Sequence, residues 1–250
     1  MSAAPPTFEA TLRSVDHVEG WMSPGQARKL WDRASELKPG AKIVEIGSYQ
    51  GRSTVMLGTA AAEGIEVVAI DPHAGNDRGP QQIEGPAEEG QADHERFLAN
   101  LERAGVRERV RHVRRPSQAA GDEVAAPIEL LYIDGAHRLA PALADIRQWG
   151  AKVADGGTLL IHDSFSSIGV TLALGASLFA GADFRYLGRT GSMAEYRRER
   201  LTTRERVTNA RRQAAELPWF ARNVVIKVLI VVKLGRLTRY LGHPGANWPY

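Results

Sequence analysis

The sequence predicts an α/β protein with a doubly wound, mostly parallel sheet of seven strands. Three observations predict this class. Short apolar runs alternate with helical patterns up to about residue 180, which is the order of a parallel sheet with crossover helices. A turn marked by two glycines follows the first apolar run, where such sheets bind ligands. The stretch FRYLGRTGSMAEYRR, around Arg189-Thr190-Gly191, is typical of an antiparallel hairpin that closes the sheet.

The strands are predicted from short apolar runs, and the helices from apolar residues spaced three or four apart. Ser23 suits the cap of the first helix, Pro24 suits its first turn, and Pro39-Gly40 ends it. The five parallel strands are predicted at Ile43–Ile46, Val67–Ile70, Val110–Arg114, Ile128–Ile133 and Thr158–His162. The later helices are predicted at about 53–62, 93–103, 141–153 and 168–180.

Residues 73–92, HAGNDRGPQQIEGPAEEGQA, show no apolar periodicity and contain four glycines and two prolines. A loop of this length inside a compact domain is uncommon, and is usually functional or disordered. Because it leaves the sheet at the same edge as Asp71, we interpret it as a lid over the substrate.

The composition is that of an ordinary globular protein. The 250 residues suffice for one α/β domain with a good core, at 43% hydrophobic and 24% charged residues. The absence of cysteine excludes disulfides, thiolate metal sites and a cysteine nucleophile, and it agrees with a reducing compartment. The stretch MSAAPPTFEATLRS has no basic start followed by an apolar run, so we expect no secretory signal and a cytoplasmic protein.

The charge is unevenly distributed between a body and a tail. Residues 197–239 carry twelve basic and three acidic residues, a balance of +9, so the rest of the chain carries −6. We therefore divide the chain into a domain at 1–198 and a basic helical extension at 199–250. The extension could pack on the domain, form a homodimer contact, or touch a membrane surface through residues 220–240. Its longest apolar run has five residues, far short of the ~20 that span a bilayer.

A possible nucleoside site is marked by the stretch IVEIGSYQGRS, in which Gly47 and Gly51 allow a sharp turn after the first strand. Asp71 then ends the second strand. A glycine turn after one strand and a carboxylate after the next is the arrangement that binds a nucleoside, with the carboxylate accepting ribose hydroxyls. The turn lacks the third glycine of the dinucleotide fingerprint.

Two further strand ends carry polar groups, in the stretches IDGAH and IHDSF. Asp134 and Asp163 should repel each other unless a cation or a proton lies between them, and their oxygens suit Mg²⁺. His137 is the candidate general base because an imidazole titrates near neutral pH. His162 is either structural, a support for the site, or a substrate contact. The two histidines with a carboxylate could alternatively form an iron site.

The stretch from Glu45 to Gly51 resembles the first motif, E-x-G-x-x-x-G, of the class I S-adenosylmethionine (SAM) methyltransferases. The chain from about Glu19 to Arg198 resembles more narrowly the metal-dependent sugar O-methyltransferases of the macrolide deoxysugar type. The residues that carry this second resemblance are GWMSP with Trp21, Asp71-Pro72-His73, Asp134, His137, Asp145, Trp149, Gly156-Gly157 and His162-Asp163. Catechol O-methyltransferases have a lysine in place of His137 and an asparagine in place of Ser164, which weighs against a catechol substrate.

The resemblance implies a Rossmann-like methyltransferase fold and a set of site residues. His137 and Asp134 would be catalytic, Asp134 and Asp163 would bind the metal, and Trp21, His73 and His162 would contact the substrate. The residues expected to bind SAM are Glu45, Gly47, Ser48, Ser53, Asp71, Ser117 and Asp134. The expected activity is Mg²⁺-assisted methylation of a sugar or glycoside hydroxyl by a homodimer that binds no nucleic acid. A catechol-like methyltransferase, a non-catalytic SAM-binding protein and an iron oxygenase are the alternatives.

Overall fold

A seven-stranded sheet forms the centre of the computed structural model, which describes residues 6–75 and 87–243. Its spatial order is β3-β2-β1-β4-β5-β7-β6. The first five strands are parallel, and β7 pairs antiparallel with both β5 and β6. The predicted fold class and closing hairpin are confirmed. The strands are β1 Lys42–Ile46, β2 Glu66–Ile70, β3 Val110–Val113, β4 Ile128–Ile133, β5 Val153–Ile161, β6 Phe184–Thr190 and β7 Met193–Arg198.

The strand order reverses between β1 and β4, and this reversal positions the site. Ile46 of β1 is level with Ile133 of β4, which is level with Ile161 of β5. The residues that follow these three strands therefore meet at one rim of the sheet. In doubly wound sheets, the crevice at such a reversal is where ligands bind.

Helices cover both faces of the sheet. Side chains alternate along β1, so that Val44 joins the core on the face of α5 and α6, and Ile43 joins the core on the face of α1 to α4. The described helices are α1 Phe8–Ser14, α2 Pro24–Ser35, α3 Arg52–Ala60, α4 Ala87–Arg103, α5 Leu139–Gly150, α6 Ile168–Ser177, α7 Thr203–Ala214 and α8 Leu217–Val231.

The start of α2 agrees with its sequence signals. Ser23 Oγ accepts a hydrogen bond from the backbone N–H of Gln26, and Gln26 Oε1 accepts one from the backbone N–H of Ser23. This reciprocal capping box satisfies two backbone donors that the first turn of a helix leaves free. Pro24 occupies the first turn, as predicted.

The predicted starts of two elements are wrong by five or six residues. Helix α4 begins at Ala87 and not near residue 93, because Gly90 is not a loop residue: a β-carbon there would overlap the backbone of His73 and Gly75. Strand β5 begins at Val153 and not at Thr158, since Gly156 and its neighbour lie in an irregularity within the strand. The centre of the predicted lid, residues 76–86, lies outside the described residues.

The C-terminal segment contacts the body through buried polar groups. Asn209 of α7 accepts a hydrogen bond from the backbone N–H of Tyr186 at 2.7 Å. Asn223 of α8 donates to the carbonyl of Phe165 at 3.4 Å. Helix α8 thereby lies beside the turn that follows β5. Among residues 6–75 and 87–243, no helix has the length and apolar character to cross a membrane. A homodimer contact remains a prediction.

Candidate active site

A large open cleft of about 1290 Å³ runs along the carboxyl ends of the parallel strands. Residues after β1, β2, β4 and β5 line it, and Lys227 with the neighbouring valines of α8 forms one side. The cleft therefore follows the crevice that the strand order creates. It brings together most of the site residues that the sequence predicts.

The glycine turn after β1 lies in close contact with the exit of β4. Gly47 has a φ of +84°, and a β-carbon there would overlap the backbone carbonyl of Asp134. Only glycine fits both the left-handed conformation and the missing space. The turn therefore requires glycine, as the sequence predicts. The group that lies against Gly47 is the backbone at the end of β4.

Asp71 holds the glycine turn in place. Its Oδ2 accepts the backbone N–H groups of Ser48 at 3.0 Å and Tyr49 at 2.8 Å, and its Oδ1 accepts that of His73 at 2.8 Å. Three of the four acceptor positions of this carboxylate are thus occupied. Asp71 lines the cleft but is 3% exposed, so at most one position is left for a ribose hydroxyl.

Glu45 does not line the cleft, contrary to the sequence-based expectation. It is fully buried beneath the turn, where its two oxygens accept the hydroxyls of Ser53 and Thr54 at the start of α3. The pKa of Glu45 is raised to about 8, mainly by burial and less by the nearby carboxylates of Asp134 and Asp71, against the two hydroxyl bonds that lower it. Glu45 therefore fixes α3 to β1 from behind the site.

Ser48 and Ser53 do lie along the cleft. The hydroxyl of Ser53 is committed to Glu45, whereas the buried Ser48 Oγ has no hydrogen-bond partner in the described chain. A buried hydroxyl without a partner costs free energy, so it is a natural contact for a bound ligand.

Ser117 lies at the far end of the cleft with Asp145 and Gln118. Ser117 Oγ donates to Asp145 Oδ1 at 2.5 Å, and Gln118 Nε2 donates to the same oxygen at 3.0 Å. Burial raises the pKa of Asp145 to about 6, against the two bonds that lower it. Trp149 donates from Nε1 to the carbonyl of Ser117 at 3.3 Å and fixes this corner from below.

An imidazole lies between the two strand-end carboxylates. His162 Nδ1 is 3.2 Å from Asp134 Oδ1 and 3.8 Å from Asp163 Oδ1. Burial alone would lower the pKa of His162, but the two carboxylates outweigh it and raise the pKa to about 9. His162 therefore occupies the position between the two carboxylates where the sequence predicts a cation.

His162 reaches the cleft side because β5 ends one residue earlier, at Ile161. The backbone then turns sharply, with Asp163 at a φ of +54° and Phe165 at +57°. Strand alternation, which would point His162 to the other side of the sheet, does not apply in this turn. His162 is 4% exposed, so it reaches a substrate only at the edge of its ring.

His137 forms a pair with Asp163 at the rim of the cleft. Its Nε2 lies 3.0 Å from Asp163 Oδ2, and its side chain is 33% exposed, whereas that of Asp163 is 5% exposed. Burial would raise the pKa of Asp163, but charge on His137, His162 and Lys227 lowers it. An exposed imidazole oriented by a buried carboxylate is an arrangement suited to moving a proton.

Lys227 of α8 joins this group from the C-terminal segment. Its Nζ donates to the carbonyl of Ser166 at 2.9 Å. Burial lowers the pKa of Lys227, and the charge of Asp163 partly offsets this. Lys227 is not among the site residues that the sequence predicts. Its signal is a lone basic residue within the apolar stretch VVIKVLIVV.

The described residues do not form the predicted Mg²⁺ site. Three of the four oxygens of these carboxylates face other side chains: Asp134 Oδ2 accepts the hydroxyl of Tyr132 at 2.8 Å, Asp134 Oδ1 faces His162, and Asp163 Oδ2 faces His137. The fourth, Asp163 Oδ1, is buried without a hydrogen bond among the described residues. Among residues 6–75 and 87–243, no three His, Asp or Glu side chains are placed to hold a metal ion together. Mg²⁺ binds through carboxylate and water oxygens, and the groups between these carboxylates are imidazoles.

The two remaining predicted substrate residues differ in position. Trp21 lines the cleft, is 51% exposed and stacks on Tyr49 with ring centroids 5.8 Å apart. His73 is 2% exposed and lies behind the cleft wall, where its Nε2 bonds the carbonyl of Tyr49 and its ring contacts Phe97. His73 therefore lies among aromatic rings and, unlike Trp21, does not line the cleft.

Comparison with known proteins agrees with this architecture. The sequence pattern of a family described as "Methyltransferase domain" matches residues 44–164, a little under half of the chain. The cofactor-bound Rv0187 from MTB is 20% identical, with a TM-score of 0.56 over 77% of this chain and 89% of that one. An O-methyltransferase from Bacillus cereus in complex with SAH is 17% identical, with a TM-score of 0.51 over 77% and 90%.

A third similar structure is the O-methyltransferase TomG from Streptomyces achromogenes, in complex with SAM. It is 15% identical, with a TM-score of 0.51 over 76% of this chain and 86% of that one. Likeness at this level of identity establishes the methyltransferase fold. Together with the match over residues 44–164, it supports a class I SAM-dependent methyltransferase.

Proposed function

We propose that the protein is a SAM-dependent O-methyltransferase that methylates a hydroxyl of a sugar or glycoside, such as a polysaccharide or glycolipid precursor. The observation that carries this proposal is the pair of His137 and Asp163, 3.0 Å apart at the rim of the cleft. The pair provides a base that can accept a hydroxyl proton, and it lies at the same edge of the sheet as the glycine turn.

The residues along the cleft fit SAM. Gly47 and Ser48 would lie against its methionine part, with the unpartnered Ser48 Oγ as a donor. Asp71 would accept one ribose hydroxyl with its remaining acceptor position, and Ser117 with Gln118 would border the adenine. When bound, SAM supplies a methyl group on a positively charged sulfur. The acceptor oxygen would bond to this methyl carbon, and the sulfur would leave with its electron pair.

His137 would remove the proton of the acceptor hydroxyl as the new carbon–oxygen bond forms. Asp163 accepts the Nε2–H of His137 and so selects the tautomer whose Nδ1 is free to take that proton. The buried carboxylate then stabilises the imidazolium that results. General base catalysis of this kind contributes roughly 10²- to 10⁴-fold.

Asp134 and His162 would set the electrostatics beside the reacting atoms. The imidazole of His162, with Nδ1 at 3.2 Å from Asp134 Oδ1 and 3.8 Å from Asp163 Oδ1, would offset the repulsion between the two carboxylates. A metal is not needed for that purpose. We therefore propose the reaction without a step through Mg²⁺.

A sugar acceptor is supported by the chemistry at the cleft entrance. Trp21, stacked on Tyr49, offers a flat apolar surface, and the polar side chains of His137 and Arg138 lie across the cleft. A sugar ring combines an apolar face with a rim of hydroxyls, and an aromatic ring with nearby donors matches that alternation.

The test is transfer of labelled methyl from SAM into fractionated glycans and small glycosides, with Mg²⁺ and with EDTA. We expect label in a saccharide fraction, equally in both conditions. Label lost with EDTA would restore the predicted metal site. No label in any fraction, with SAM binding confirmed by calorimetry, would contradict the proposal and favour a different acceptor or a non-catalytic SAM-binding protein.

A further inference from the structure

Helix α8 buries Asn223 and Ile226 against the protein and leaves several valines exposed to solvent. Asn223 and Lys227 face the body, where they bond the carbonyls of Phe165 and Ser166. Val228, Val231 and Val232 are 54%, 60% and 53% exposed. The outward face of a surface helix is usually polar, so this exposed apolar face is shaped to meet something apolar.

The exposed surface continues beyond the helix. Val225, Leu234, Leu237 and Tyr240 are each between 45% and 72% exposed. We call the exposed large apolar residues between positions 225 and 240 the α8 apolar surface; they are Val225, Val228, Val231, Val232, Leu234, Leu237 and Tyr240. Seven large apolar side chains in one short region exceed the scattered exposure that is normal for a protein surface.

The charge around this surface is positive throughout. Residues 217–243 contain no Asp or Glu and five basic residues. Lys233, Arg236 and Arg239 are exposed beside the apolar side chains. A second copy of this chain docked face to face would bring like charges together, whereas an anionic lipid surface would neutralise them.

The dimensions also suit a lipid surface. Helix α8 has 15 residues, so it is about 22 Å long and too short for the ~30 Å bilayer core. A helix with an apolar face flanked by Lys and Arg lies in the membrane interface instead. Val228, Val231 and Val232 also line the cleft, so the cleft opens beside this surface.

We propose that the α8 apolar surface docks the protein on an anionic lipid bilayer, with α8 parallel to the membrane plane. The apolar side chains enter the interface, and Lys233, Arg236 and Arg239 pair with lipid phosphates. This inference does not depend on methyl transfer, because it rests on the exposed side chains and charge of residues 217–243.

The test is sedimentation of the full chain with vesicles of phosphatidylcholine alone, or of phosphatidylcholine and phosphatidylglycerol in equal parts. We expect binding to the anionic vesicles that weakens with salt, and little binding to the neutral ones. Lys233→Gln with Arg236→Gln should reduce binding about 25-fold, since each basic residue contributes roughly fivefold. Arg211→Gln with Arg212→Gln on α7 is the matched control and should change it little.

Val225→Glu with Leu234→Glu should abolish vesicle binding. Val207→Glu with Leu187→Glu changes residues of similar exposure, 48% and 44%, away from this surface, and should leave binding intact. Equal loss in both pairs, or no binding by the unmodified chain, would overturn the proposal. So would sedimentation equilibrium showing a dimer that Val225→Glu with Leu234→Glu dissociates, because the surface would then be a contact between copies.

Discussion

Nε2 of His137 lies 3.0 Å from Oδ2 of Asp163, with the imidazole a third exposed and the carboxylate buried. The two residues follow different strands, β4 and β5, and meet because these strands end level with each other. In a pair of this kind, the carboxylate orients the imidazole toward the cleft, and the carboxylate itself is shielded from water. The proposed activity depends on this relationship.

Replacing either member of the pair should stop catalysis and spare cofactor binding. We expect His137→Gln to lower kcat by roughly 10²- to 10⁴-fold, because the general base is lost. Asp163→Asn should lower it as well, since the amide no longer selects the tautomer of His137. The measurements are labelled methyl transfer and calorimetric titration with SAM. Unchanged turnover in His137→Gln would exclude it as the base.

The position of Lys227 predicts that the C-terminal segment takes part in the active site. Lys227→Met removes the bond to the carbonyl of Ser166 and a positive charge beside Asp163. We expect kcat to fall about tenfold, corresponding to ~1.4 kcal/mol, with the affinity for SAM unchanged. Lys233→Met, a change of the same type at an exposed position of the segment, is the control. An equal effect of both substitutions on kcat would contradict a specific role for Lys227.

Gly47 should be far less tolerant of a side chain than another left-handed glycine. Gly156 has a φ of +76° with open space around it, so Gly156→Ala measures backbone strain alone, about 1 kcal/mol of unfolding free energy. Gly47→Ala adds the overlap with the carbonyl of Asp134, and we expect a loss of about 3 kcal/mol or more. Urea unfolding measures both. Similar losses would mean that the turn can move away from β4.

Glu195 should make the fold sensitive to acid. Its oxygens bond Lys29 Nζ at 2.8 Å and Arg33 Nε at 2.6 Å, which ties α2 to β7. Burial would raise the pKa of Glu195, but these two bonds lower it below its ordinary value. A carboxylate with a lowered folded-state pKa stabilises the fold above its unfolded pKa of about 4.3, and this stability is lost as the pH falls through the folded-state value.

We therefore expect Glu195→Gln to reduce the unfolding free energy by about 2 kcal/mol at neutral pH. The difference from the unmodified protein should shrink below about pH 4, where the native carboxylate is also protonated. Glu36→Gln is the control, because Glu36 bonds Arg33 from an exposed position and should cost less than about 0.5 kcal/mol. A difference that does not change with pH would show that Glu195 acts through packing.

Much of the architecture could be predicted from local pattern. The apolar runs of β1, β2 and β4 and the capping signal at Ser23 appear where the sequence places them, because burial and helix capping act over a few residues. The glycine turn and the polar strand ends were also found in this way. The boundaries of the elements were less predictable. Gly90 suggests a loop, but glycine is needed there because the helix packs closely against the backbone of His73 and Gly75.

The sequence by itself determined the alternation of strands and helices and the residue types at the strand ends, since both depend on local periodicity. Tertiary structure decided what those residues do. Glu45 accepts hydrogen bonds from the start of α3 beneath the site, His162 lies between two carboxylates, and Lys227 reaches the site from the C-terminal segment. The physical reason is that charge, burial and hydrogen bonding depend on neighbours brought together in space, and the partners of these side chains come from separate elements.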